Sequence, residues 1–321
     1  MTLSSAASDR LRETARVTAE PAIEDRAFRC SVGATGEPMA GSAAVATTYL
    51  LVEHPGPWGR KALAESRFPE HVRHGLAEAA DAAGVRVQLV RRPGRSAAGE
   101  GLRVFATYAD PVAPWTATAV LSTPEELLGL DLTALAAGSA AAGLEPHDRP
   151  LYLVCTNGRR DLCCAEQGRP IVAALSAAYR DETWETTHVG GHRFAGAMLV
   201  LPHGLSYGRL DASAALRVVE ASVAGELDLA HLRGRSAYDG AVQAAEIEAR
   251  QCLGETRLDA LTLLGTTPAP PADGTGTKAV HVRFAHADGE VTVRVEKVST
   301  APARQSCADL IAKPGTRYVV T

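Results

Sequence analysis

Residues 151–155 read Leu-Tyr-Leu-Val-Cys, and residues 156–164 follow as Thr-Asn-Gly-Arg-Arg-Asp-Leu-Cys-Cys. The first run is apolar throughout, the pattern of a strand covered on both faces. Working outward, the spacing predicts a helix over Pro170–Tyr179 and strands over Trp184–Thr187 and Ala197–Leu201. Pro202-His203-Gly204 makes a hairpin, with Ser206–Leu210 as its second arm. Asp211 is placed to cap a helix reaching about Glu226, whose Leu216, Val219, Val223 and Leu227 share one face. A further helix is expected over Tyr238–Cys252.

The preceding block repeats this order loosely. Ala44–Glu53 reads as a strand and ends at the turn His54-Pro-Gly-Pro-Trp-Gly59. Pro69–Ala83 has helical periodicity, with Gly84 as its C-cap. Val85–Val90, Leu102–Tyr108 and Thr116–Leu121 alternate as strands, and Thr123-Pro124 opens a helix. Strand–helix–strand–strand–helix is the thioredoxin-like order. The expected fold is α/β, two tandem thioredoxin-like domains with a small C-terminal β appendage. The boundaries read 1–28 for a polar lead-in, 29–146 and 147–255 for the two domains, and 256–321 for the appendage. Thr266–Thr277 is expected as a loop. Lys278–Ala285 and Val291–Lys297 flank Asp288-Gly289 as a hairpin, and Arg317–Thr321 adds a last strand.

Composition narrows the function. The chain has 321 residues and a net charge of −4, so a general nucleic-acid binder, which needs excess Lys and Arg, is not expected. No stretch approaches the ~20 apolar residues of a membrane span, and Arg10, Arg12, Glu13 and Arg16 interrupt the start as no secretory signal would be. The expectation is a cytoplasmic protein with reduced thiols. Its six cysteines are too few for a disulfide scaffold and enough for a metal site. No G-x-G-x-x-G follows a strand, so electrons would come from a partner and not from a bound flavin or nicotinamide.

Four residues carry the chemistry. Cys155 ends the buried strand, and Cys164 follows after eight residues in what reads as the strand-to-helix loop. His188 and His192 flank Val-Gly-Gly, which disfavours a helix by roughly 1 kcal/mol per glycine and lets the backbone wrap closely. Two sulfurs and two imidazoles suit Zn²⁺ or an iron–sulfur cluster. Zinc fingers space their cysteines more tightly, so the wide loop suits the larger [2Fe–2S] rhomb. Val189 stands where a zinc protease carries Glu.

These motifs resemble the sucrase/ferredoxin-like family of thioredoxin-like [2Fe–2S] ferredoxins. The matching runs are Cys155–Cys164, His188-Val-Gly-Gly-His192-Arg-Phe-Ala, Leu201-Pro-His-Gly204 and Tyr207-Gly-Arg209. The resemblance extends upstream through Cys30, Glu37-Pro38, Gly41-Ser42 and Glu53-His-Pro-Gly-Pro-Trp-Gly59, and downstream through Arg233-Gly-Arg235. It implies a cluster held by Cys155, Cys164, His188 and His192, with Cys164 preferred over Cys163 because the family pattern fills that position. The implied function is one-electron transfer, proton-coupled through the imidazoles, with a reductase or acceptor protein as partner. A non-enzymatic carrier is favoured, because no paired carboxylates argue for glycosidase chemistry.

Around these four, Arg160 and Asp161 are candidates to fix the cysteine loop, Arg193 and Arg209 to neutralise cluster charge, and Thr186 and Thr187 to hydrogen-bond sulfur. Cys163 is a possible competitor for iron. Cys30, Cys252 and Cys307 read as separate small apolar thiols, and Trp58 as a packing anchor. Two other functions stay open: a thiol oxidoreductase or redox sensor using Cys163–Cys164 or Cys155, although no Cys-x-x-Cys is present, and a zinc-stabilised interaction module.

Overall fold

In a computed structural model of the chain, residues 28–94, 101–270 and 278–321 are described. The lead-in over 1–28 lies almost wholly outside them. The strands are β1 (Thr48–Glu53), β2 (Val85–Arg91), β3 (Leu102–Tyr108), β4 (Trp115–Leu121), β5 (Glu145–Pro146), β6 (Leu151–Cys155) and β7 (Thr183–Thr186). They continue as β8 (Met198–Leu201), β9 (Leu205–Tyr207), β10 (Leu232–Arg235), β11 (Thr262–Ala269), β12 (Ala279–His286), β13 (Gly289–Ser299) and β14 (Thr316–Val320). The helices are α1 (Cys30–Gly33), α2 (Glu70–Ala83), α3 (Leu132–Ala136), α4 (Leu162–Ala178), α5 (Ala212–Val223) and α6 (Gly240–Leu253).

One mixed sheet holds ten strands in the order β10-β9-β8-β6-β7-β2-β1-β3-β4-β5, and one antiparallel sheet holds β11-β12-β13-β14. The large sheet reads the same from its middle outward. β7-β6-β8-β9 on one side repeats β2-β1-β3-β4 on the other, each beginning with a parallel pair bridged by a helix. β2 and β7 join the halves antiparallel, pairing Val90 with Thr186 and Arg91 with Glu185. This is an α/β fold consistent with the thioredoxin-like order, with the two halves joined in one continuous sheet.

Three apolar clusters hold the large sheet. α2 and α3 cover one face of the first half through Val72, Leu76 and Leu135, and α4 and α5 cover the second through Ile171, Leu175 and Val218. The opposite faces of both halves share a third cluster, where Phe105 meets Trp184 edge-on at 5.3 Å. Each fully buried Leu or Phe contributes about 1.5–3 kcal/mol relative to exposure. Gly84 caps α2 with φ 70°, as the sequence indicates.

The structure differs from the sequence reading at three places. α4 starts at Leu162, eight residues before Pro170, because Asp161 caps it by accepting from Cys163 N at 3.1 Å. Cys163 and Cys164 therefore stand on a helical turn and not in a loop. The Thr123-Pro124 start makes a 3₁₀ turn before α3, with the Thr123/Glu126 capping box formed. Thr266–Ala269, expected as loop, belongs to β11; this is an edge strand, where Pro268 costs no interior ladder bond.

The small sheet packs on α6 through Phe284, Val293 and Val295 against Val242, Ala245 and Ala249. The other side of α6 buries polar groups toward the large sheet. Gln243 donates to Ala43 O, Arg235 O and Tyr238 O, and Glu246 accepts from both Arg235 and Arg250.

Candidate metal centre

Cys155 is the last residue of β6 and His188 lies two residues beyond β7, so both emerge at the carboxyl end of the parallel pair. That edge is where open α/β sheets bind ligands. Gly168 lets α4 lie directly on β6: a Cβ there would stand 2.2 Å from Cys155 O. This close approach brings Cys164 over the strand end. The ligand atoms of Cys155, Cys164 and His188 all lie within 4.8 Å of one another.

Cys164 Sγ is 3.9 Å from His188 Nδ1, and His188 Nε2 is 3.3 Å from His192 Nδ1. The two imidazole rings are 4.9 Å apart and tilted by 38°. The four expected ligands thus form a continuous chain of contacts. Both cysteines are buried, while the His192 side chain keeps 15% exposure. The Cys164 thiol, donating to Cys155, holds the Cys155 thiol well below its ordinary range against the opposing effect of burial. Burial and the neighbouring His188 push His192 down, toward its neutral, metal-binding form.

The turn between the histidines is held from beneath by a residue the sequence reading did not single out. Arg233, on β10, is fully buried. Its guanidinium donates to Gly190 O at 3.0 Å, Ser206 Oγ at 3.4 Å and Ser42 Oγ at 3.1 Å, and also to Ser42 O. All these acceptors are neutral. Burial, with Arg193 and Arg86 nearby, pushes Arg233 down to about 9, while Cys155 pulls it up. Gly191, at φ 67°, packs on this guanidinium. The only hint in the sequence was the resemblance at Arg233-Gly-Arg235.

The other expected neighbours behave differently. The Thr187 hydroxyl donates to Gln88 Oε1 at 2.8 Å and accepts from Leu89 N at 3.2 Å, so it serves β2 and not a sulfur. Thr186 donates to Leu89 O at 3.4 Å. Arg193 pairs with Glu37 at 2.8 Å, and Arg209 donates to Ala34 O and Glu37 O. Both arginines anchor the turn after α1. Arg160 has its backbone N–H on Asn157 Oδ1, and its charge helps lower His192. Asp161 is buried, with its Oδ2 4.0 Å from His192 Nε2.

Cys163 points away from this centre, toward Cys30 and Cys307. Trp58 is a packing anchor, 5% exposed, its indole donating to His54 O. A cleft of about 650 Å³ opens beside the Gly158–Asp161 turn, lined by Arg60, Arg159, Arg160 and Arg304 over an apolar floor that includes Phe28 and Leu310. Among the described residues, no helix is long and apolar enough to cross a membrane.

A protein-family model described as sucrase/ferredoxin-like matches residues 39–234. No curated protein and no solved structure matches the chain.

Proposed function

The chain belongs to the sucrase/ferredoxin-like family, and from that premise we propose that it is an electron carrier with one [2Fe–2S] cluster held by Cys155, Cys164, His188 and His192. Each half of the large sheet is read as one thioredoxin-like unit, the second bearing the cluster. The observation that carries the proposal is the convergence of Cys155, Cys164 and His188 within 4.8 Å, with His192 packed on His188.

The residues fit the group. A soft pair of sulfurs and a borderline pair of nitrogens suit iron in a sulfide cluster. The buried Arg233 has no carboxylate among its hydrogen-bond acceptors. Such a charge is costly unless something anionic compensates it, and a thiolate-ligated centre above the histidine turn supplies that compensation.

When bound, the cluster supplies a one-electron couple. Cys155 and Cys164 bind as thiolates from the strand end and the first helical turn. His188 and His192 replace two anionic donors with neutral ones, so less negative charge builds up on reduction. In centres with such ligation the potential lies at about −150 to +300 mV, against roughly −400 mV for all-cysteine plant-type ferredoxins. A ring nitrogen of His188 or His192 that is not a ligand would hold a proton, and the oxidised cluster would favour its release. The buried cysteines would keep water from the cluster, and the partly exposed His192 would offer the edge for electron exchange. The arginine-lined cleft beside Arg159 and Arg160 is the face assigned to the redox partner, a reductase or acceptor with acidic groups.

The test is anaerobic purification followed by the visible spectrum and assays of iron and acid-labile sulfide. Two irons and two sulfides per chain, lost in His188→Ala and His192→Ala, are expected. Colourless protein from a strictly anaerobic preparation with intact iron–sulfur assembly would overturn the reading.

A further inference from the structure

Three of the remaining cysteines meet although they are far apart in sequence. Cys30 opens α1, Cys163 stands on the first turn of α4, and Cys307 lies in the segment between β13 and β14. Cys30 Sγ is 3.8 Å from Cys163 Sγ and 3.7 Å from Cys307 Sγ, and Cys163 Sγ is 3.3 Å from Cys307 Sγ. The fourth corner is a carboxylate: Asp161 Oδ1 is 3.5 Å from Cys30 Sγ and 3.0 Å from Cys307 Sγ. All four ligand atoms lie within 4.8 Å of one another.

We propose that Cys30, Cys163, Cys307 and Asp161 form a second, structural metal site that takes one Zn²⁺. The size of the cage argues for this ion. With Zn–S bonds of about 2.3 Å and a Zn–O bond of about 2.0 Å, a tetrahedron has S···S edges of about 3.8 Å and S···O edges of about 3.5 Å. The Cys30 edges, at 3.8, 3.7 and 3.5 Å, fall on these values, while the Cys163–Cys307 and Cys307–Asp161 edges, at 3.3 and 3.0 Å, are about 0.5 Å shorter, a cage that closes on a small ion and not on a larger one. A [2Fe–2S] rhomb, which needs ligands on two separate irons, has no room here. A disulfide would use two sulfurs and leave the third thiol unused at the same centre.

The surroundings are those of a built site. Asp161 Oδ2 accepts from Ser306 Oγ at 3.0 Å and Cys307 N at 2.9 Å, which fixes the carboxylate plane. Ser31 Oγ donates to Cys163 Sγ at 3.2 Å, and Cys30 N donates to Cys307 Sγ at 3.5 Å, both bonds that favour thiolates. Such outer contacts orient and strengthen metal ligands. Binding would release the three thiol protons to solvent and leave the site net negative. The Arg29 guanidinium lies in the field of Cys163 and Cys307, and Arg304 donates to Cys307 O at 3.2 Å.

The ligands come from three pieces of chain separated by 133 and 144 residues. One ion would therefore clamp the C-terminal appendage and α1 onto the start of α4, next to the helical turn that carries Cys164. Adjacent residues thus serve different metals, because successive side chains on a helix point about 100° apart.

The test measures zinc and iron per chain in the full-length protein grown with both metals. One zinc is expected in the parent, falling at least about tenfold in Cys307→Ser, no less than removal of an outer contact of a metal ligand costs, and retained in Cys307→His. Cys155→Ser should keep its zinc whatever becomes of the cluster proposal, and lose iron only where that proposal holds. Cobalt supplied to Cys155→Ser in place of zinc should give the intense visible bands of a tetrahedral site and a sulfur-to-metal charge-transfer band, both absent after Cys30→Ser. Parent protein without zinc when zinc is supplied, a Cys163–Cys307 disulfide in that preparation, or zinc unchanged in Cys307→Ser would overturn the proposal.

Discussion

The guanidinium of Arg233 lies directly beneath Gly191, so close that a Cβ on that glycine would stand 2.3 Å from Arg233 Nη2. Gly191 also has φ 67°, which costs an L-residue roughly 1–2 kcal/mol. Gly191→Ala must therefore lift the histidine turn or displace a buried cation. The expected outcome is a folded chain that retains less than half of its iron, read by metal analysis and visible absorbance. Full iron content in this variant would show that the turn tolerates the side chain.

Arg233 should also set the potential. Its charge is buried, and its effect on an electron added above it is not screened as it would be in water. Arg233→Gln removes that charge and keeps hydrogen-bond donors. Since the cation favours the reduced, more negative state, the variant's potential should fall by on the order of 60–120 mV, the equivalent of one to two tenfold changes in a one-electron equilibrium. Spectroelectrochemical titration of parent and variant reads the shift, and an unchanged or raised potential would count against Arg233 as the counter-charge.

Particular residues show how far the sequence could be read. The strand Leu151–Cys155 was legible because an all-apolar run ending in polar turn residues has few other uses. The start of α4 is not, because Pro170 imitates a first helical position while Asp161, nine residues earlier, supplies the actual cap. That shift moves two cysteines from a loop to a helix. The Cys30–Cys163–Cys307 meeting has no local signature, since contacts 133 and 144 residues apart leave no periodicity behind. Proximity in sequence makes Thr187 a candidate for sulfur, yet the strand beside it offers Gln88 and Leu89, and a hydroxyl bonds what its strand faces.

Proton coupling gives a sign that can be checked. With the proposed ligation, a proton on a histidine ring nitrogen not used for the metal would be bound more tightly when the centre is reduced. Reduction then takes up protons, and the potential falls as pH rises through the oxidised-state imidazole range, with a limiting slope of about 59 mV per pH unit for one proton per electron. His188→Cys should flatten this dependence and lower the potential throughout. A parent potential that stays constant across the imidazole and alkaline ranges would exclude coupling.

The last expectation concerns the joint between the sheets. Glu246 is 1% exposed and accepts from Arg235 Nε at 2.9 Å and from Arg250 Nη2 at 3.0 Å, tying α6 to β10, the strand that carries Arg233. Burial alone would raise its carboxyl pKa, but the two guanidiniums overcome this and hold it below the ordinary value. A group depressed in the folded state contributes stability above its unfolded pKa of about 4.3 and loses it as pH falls through the folded value. Glu246→Gln keeps the shape and leaves two buried cations without their anion, so at neutral pH it should destabilise the chain by about 3–5 kcal/mol. Urea unfolding at neutral pH reads the loss. The gap between parent and variant should narrow below about pH 4, as the parent's own carboxylate takes up its proton. A variant equal to the parent at neutral pH would mean that packing of α6, and not this charge triad, holds β10 in place.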